Sequence, residues 1–245
     1  MEENKFKFPT EIVELPSHGL LYPSDHPLKS GKVEMKYMTA KEEDILTNRN
    51  YIEKGIVLDK LLEALTMNAF DIKDLIPGDK NAILIASRVL GYGKDYTFTY
   101  DEKEYTIDLS SLDNKPFDTS SLTTRGTFKF TLPNSGNEVE FKLLTDKDDD
   151  KISQDIESLK KINKDISPEI TTRLKYHIFA INGDTDKNAI REFVDFQMLA
   201  SDSRALRKQI KDVSPDINLT AKVMINNVEE NIDIPINLNF FWPDL

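Results

Sequence analysis

A chain of 245 residues is long enough to bury one large core or two smaller ones without staples, and its 39% hydrophobic and 31% charged residues describe a folding protein with polar loops. Asp and Glu number 43 against 32 Lys and Arg, and the resulting formal charge of −11 repels phosphate backbones, so sequence-independent nucleic-acid binding is not expected. With no Cys and three scattered His (His18, His26 and His177), disulfides, thiolate nucleophiles, iron–sulfur clusters and thiolate zinc sites are excluded.

Residues 1–10 lack the apolar stretch of a signal peptide, and the longest apolar run, Ala82 to Ala86, is far too short to cross a bilayer. A soluble cytoplasmic protein without membrane contact is expected. From Lys5 to Pro27 the residues Pro9, Pro16, Pro23 and Pro27 fix an extended arm, which Gly19 allows to turn. Its apolar residues Ile12, Val13, Leu15, Leu20, Leu21 and Tyr22 must lie along a surface, the chain's own or a partner's.

Lys32 to Met38 alternates in the manner of a half-buried strand. Thr39 followed by Glu42, Glu43 and Asp44 predicts a capped helix start, and Leu58, Leu61, Leu62 and Leu65 share one helical face after Gly55. Pro77-Gly78 opens a further helix, from Asp79 to about Leu90, which Gly91 and Gly93 end. Tyr96 to Leu109 then alternates as a hairpin around the polar tip Asp101 to Glu104.

The pattern begins again further on. Val33 to Asp44 aligns without gaps on Val139 to Asp150, Asp79-Lys80-Asn81-Ala82-Ile83 recurs as Asp186-Lys187-Asn188-Ala189-Ile190, Ser87-Arg88 resembles Ser203-Arg204, and the hairpin has a counterpart in Ala221 to Ile236. Preserved order predicts an α+β fold of two similar lobes from a tandem duplication, each a strand, several helices and a β-hairpin. The expected divisions are an extended Pro-rich arm at 1–31, a first lobe at 32–112, a linker at 113–126, a second lobe at 127–238 and an aromatic tail at 239–245.

Chemical constellations reduce to structural ones. Asp146, Asp148, Asp150 and Glu157 have calcium-loop spacing, as do Asp184, Asp186, Asn188 and Asp195, but Lys151 and Ala189 stand where such a loop needs Gly. Both runs read as acids at helix starts. Gly91-Tyr92-Gly93-Lys94 lacks the spacing of a phosphate loop, and Ser17-His18 near Asp25 lacks a nucleophile elbow. His177 is expected to be a helix residue with a satisfied hydrogen bond. Ser201-Asp202-Ser203-Arg204 with Arg207 reads as Asp202 paired with an Arg. Phe240, Phe241 and Trp242 cannot all face one way if the segment is a strand, so at least one is expected inside and another free for a partner.

The arm Leu15-Pro16-Ser17-His18-Gly19-Leu20-Leu21-Tyr22-Pro23, the helix start at Glu42-Glu43, Gly78-Asp79, Arg88 with Gly91-Tyr92-Gly93, Ser201-Asp202-Ser203-Arg204 and the ending Phe240-Phe241-Trp242-Pro243 resemble the baseplate hub assembly family of T-even-like tailed phages, over most of the chain. The resemblance implies a non-enzymatic hub subunit or assembly chaperone, partnered by phage baseplate hub proteins, in the host cytoplasm or the virion baseplate. Some relatives carry a Cys pair in these hairpins; this chain has none, so no metal, cofactor or catalytic residue carries over. Partner contacts are expected at Leu15, Pro16, Leu20, Leu21, Tyr22, Phe240, Phe241 and Trp242. A permanent virion subunit is the alternative, and an anion-using hydrolase around Arg204 and Asp202 ranks last.

Overall fold

The computed structural model describes residues 9–162, 164, 167–225, 228–234, 236 and 238–241, with backbone alone at 224, 225, 228, 229, 238 and 239. Strand β1, Thr10–Glu14, pairs antiparallel with β2, Lys32–Lys36, with Val13 opposite Val33. The expected arm is thus a strand where it lies between Pro9 and Pro16, because its amides there are free to pair.

Helix α1, Ala40–Leu46, begins at Thr39, whose amide and hydroxyl donate to Glu42 Oε2 at 3.0 and 2.6 Å. Helix α2, Arg49–Glu53, is capped by the Asn48 side chain, and α3, Val57–Leu65, buries Leu61, Leu62 and Leu65. Helix α4, Pro77–Tyr92, starts on a proline ring that needs no hydrogen-bond partner and stops at Gly93. Strands β3, Asp95–Tyr100, and β4, Lys103–Asp108, form the first hairpin. Its tip is only Asp101 and Glu102, both at positive φ, so Lys103 and Glu104 pair within the ladder.

In the second half, β5, Phe128–Thr131, β6, Glu138–Phe141, and β7, Ile178–Ile181, form an antiparallel sheet in that order. Helices α5, Asp146–Ile162, and α6, Glu169–His177, lie between β6 and β7 in the chain; α7, Lys187–Glu192, runs into a π-helical turn, Phe193–Gln197, and α8, Ala200–Asp212, follows. Strands β8, Thr220–Ile225, and β9, Val228–Asp233, form the last hairpin, and a 3-10 turn covers Leu238–Phe241. Among the described residues the fold is therefore mixed, with eight α-helices and small antiparallel sheets of two or three strands. None of its helices is long and apolar enough to cross a membrane.

Two hydrophobic cores result. One gathers Leu15, Met35, Leu46, Leu61, Ile83 and their neighbours, the other Phe128, Phe141, Leu174, Phe193 and Leu206, while Leu21 and Leu143 pack against both. Core membership does not follow chain order: Ala221, Val223, Ile232, Phe240 and Phe241 belong to the first core. The route back is held by the 113–126 connection, where Lys115 N–H donates to the Asp216 carbonyl and Asn218 N–H to that of Asp113.

Candidate functional site

Leu15 to Gly19 turn directly above the start of α4. The Leu15 amide donates to the Gly31 carbonyl at 2.8 Å, and Gly19 takes φ +73°. Asp79, the third residue of α4, is fully buried and accepts the Ser17 amide at 3.0 Å, the Ser17 hydroxyl at 2.6 Å and the Tyr22 hydroxyl at 2.7 Å. The Tyr22 oxygen in turn accepts the Ile76 amide at 3.2 Å. Burial pushes the Asp79 carboxyl up from its ordinary value, against the pull of the Ser17 and Tyr22 hydrogen bonds. Burial, then the adjacent Asp79 charge, pushes the Tyr22 hydroxyl far up, so it stays a donor.

A similar arrangement stands in the second half. Leu132-Pro133-Asn134-Ser135-Gly136 turns after β5, the Leu132 amide donates to the Asn137 carbonyl at 2.9 Å, and Gly136 takes φ +71°. Asp202, the third residue of α8, is fully buried and accepts the Asn134 amide at 2.9 Å, the Asn134 side-chain amide at 3.0 Å and the Ser135 amide at 3.0 Å. Burial raises the Asp202 pKa, but these hydrogen bonds outweigh it and hold the carboxyl below its ordinary value. The expected Asp202–Arg pair is thus replaced by bonds from a turn, which satisfy a buried carboxylate without desolvating a second charge. The aligned helix starts also agree in contact: Lys36 reaches Glu42 and Lys142 reaches Asp148, each at 2.8 Å. Asp186, by contrast, caps α7 through the Ala189 amide and has no part like that of Asp79.

Most of the expected partner residues face inward. Leu15, Pro16 and Tyr22 are buried, Leu21 is half-buried, and Leu20 is 40% exposed. Phe240 and Phe241 are both fully buried, so neither is the free aromatic; Trp242, the third of the three, lies outside the described residues. The reason is local geometry. A strand would alternate the two rings, whereas the 3-10 turn directs both into the core, 5.3 Å apart, with Tyr96 at 4.9 Å from Phe240. Arg88 secures the turn, its Nε donating to the Phe240 carbonyl at 3.0 Å and its Nη1 to that of Gly93 at 3.1 Å.

The acidic run at α5 holds cationic side chains: Asp146 meets Lys80, Asp148 Lys142, Asp149 Arg173 and Asp150 Lys73. Asp195 likewise meets Lys175 at 2.6 Å. Among the described residues no three His, Asp or Glu side chains converge as a metal site. His177 ends α6 with Nδ1 2.9 Å from the Lys142 carbonyl, which requires its proton there, and burial lowers its pKa.

Between the halves lies a cavity of about 340 Å³ whose wall includes Leu21, Tyr22, His26, Arg125, Lys142 and Phe179. The Arg125 guanidinium sits over the Phe179 ring at 5.9 Å, while Lys142 is paired with Asp148. Arg125 and Phe179 belong to no sequence motif; only the fold brings them beside the arm. The cleft wall also holds Asp74, whose Oδ2 lies 3.3 Å from His26 Nε2, while His26 Nδ1 accepts the Leu28 amide at 3.2 Å. The chain matches no protein-family model, no curated protein and no solved structure.

Proposed function

We propose that this chain is a non-enzymatic assembly factor that binds hub protein in the host cytoplasm while a contractile-tail phage baseplate is built, on a scaffold of two tandemly duplicated α+β units. One observation carries the reading: five polar side chains in the motifs that resemble the hub assembly family, Ser17, Tyr22, Asp79, Arg88 and Asp202, are buried and hydrogen-bonded inside the protein. A motif whose polar groups hold turns onto helices specifies a shape, and a shape serves binding. The duplication is supported by the paired turns Leu15–Gly19 and Leu132–Gly136, each donating to an Asp at the third position of the helix that precedes a hairpin. Co-expression with baseplate hub proteins is expected to yield a stoichiometric complex, and failure to co-purify with any of them would remove the proposal. Mass spectrometry of purified particles is expected to find the chain absent; a fixed copy number there would make it a permanent subunit.

A further inference from the structure

In the first half, the segment that continues the turn after Gly19 covers the start of α4. Tyr22 lies over it, its oxygen on the Ile76 amide, and Ile76 is only 3% exposed. Counting back from the two buried Asp residues, Phe70, Leu75 and Ile76 correspond to Phe193, Met198 and Leu199. The second half lacks the covering segment, because the chain goes from Gly136 through Asn137 directly into β6, whereas residues 20–31 separate Gly19 from β2. Leu199, the counterpart of the covered Ile76, is accordingly 49% exposed, and Phe196 on the π-helical turn, where the first half has the exposed Lys73, is 84% exposed. Exposing a phenyl ring to that extent costs hydrophobic free energy that burial elsewhere would recover.

The surroundings select the chemistry of what would cover it. Arg191 lies one π-helical turn before Phe196, and on α8 Arg204 and Arg207 follow Leu199, with Arg207 Nε donating to the Ser203 carbonyl. All three are exposed, and among the described residues none has a carboxylate within ion-pair distance. Of the acids on α7 and the turn, Asp195 is neutralised by Lys175 and Glu192 is exposed. In a chain of net charge −11, an apolar pair with three exposed arginines close to it in the chain, none with a carboxylate in ion-pair distance among the described residues, is complementary to carboxylates.

We propose that the Phe196–Leu199 face docks an extended, acidic segment of a partner protein carrying a large apolar side chain, which lies on Leu199 as Tyr22 lies on Ile76 in the first half and reaches Phe196. The inference rests on the two-unit reading and does not depend on which protein is the partner.

The probe is a fluorescent synthetic peptide with the sequence of residues 11–25, which carries Leu20, Leu21, Tyr22 and the acids Glu11, Glu14 and Asp25. Its anisotropy with the full chain is expected to saturate. Phe196→Ala, and separately Arg204→Glu with Arg207→Glu, should each weaken binding about tenfold with an unchanged melting curve, since these side chains are exposed. Raising salt from about 0.05 to about 0.5 M should weaken it severalfold. No saturable binding, equal binding of a peptide with Glu11, Glu14 and Asp25 changed to Lys, or indifference to either variant would overturn the proposal. A sedimentation experiment completes it: a dimer of the chain that Phe196→Ala dissociates would assign the face to a second copy instead. Because no hub protein is present, a failed complex in the co-expression experiment leaves this result independent.

Discussion

Two buried acids, Asp79 and Glu42, respond oppositely to pH because different forces prevail at each. At Asp79 burial outweighs the hydrogen bonds and raises the folded-state pKa, so its contribution to stability is full below the unfolded value, near 3.9, and is lost as pH rises through the raised value. At Glu42 burial also raises the pKa, but hydrogen bonds from Lys36 and Thr39 win and hold it low; that contribution exists above the unfolded value, near 4.3, and is lost as pH falls through the lowered one. Asp79→Asn places an amide donor against the Ser17 or Tyr22 donors and should cost about 2 kcal/mol at pH 7. Between pH 7 and pH 3 the melting-temperature gap between wild type and Asp79→Asn should widen, and the gap to Glu42→Gln should narrow. Gaps that move in the same direction would show that one of the two carboxyls is misassigned.

Among the elements, α4 carries the tightest steric condition. A Cβ at Gly78 would lie 1.9 Å from the Pro215 carbonyl oxygen and 2.8 Å from the Asp216 Cα, so the connection into β8 runs directly over the helix start. Gly78→Ala should cost about 3 kcal/mol in denaturant titration through forced backbone movement. Gly55→Ala, where φ is +67° and nothing stands within 4 Å, should cost only about 1 kcal/mol from the left-handed backbone. Equal losses would deny the close approach. Much of this level was legible in the chain: the alternation of Lys32 to Met38, the cap at Thr39 and the hairpin from Tyr96 to Leu109 are local signals, and each formed locally. What escaped depends on distant partners. Matching by residue identity pairs Asp79 with Asp186, while the arrangement that recurs is a Leu-Pro turn bonded to the third residue of a helix, at Asp202. The cleft residues Arg125 and Phe179 gave no signal because their proximity to the arm arises only from tertiary packing.

Across the whole molecule the chain closes on itself out of order. The first core, begun by Leu15 and Met35, is completed by Val223, Ile232, Phe240 and Phe241, which the chain reaches only after the entire second core. The halves are further joined by Lys80 between Asp59 and Asp146, and by Lys147 between Asp71 and Asp74. The exposed pairs contribute little individually, so the physical link is the shared apolar core. Two bodies joined in this way should unfold together, giving a single calorimetric transition whose calorimetric and van't Hoff enthalpies agree. Phe240→Ala removes a fully buried ring and should cost about 3–5 kcal/mol, a large part of the stability of a typical domain. If the two cores unfold as one cooperative unit, that loss lowers the one transition without dividing it; if a second transition remains at the wild-type temperature, the core around Phe128 and Phe141 is independent and the tail stabilises the first core alone.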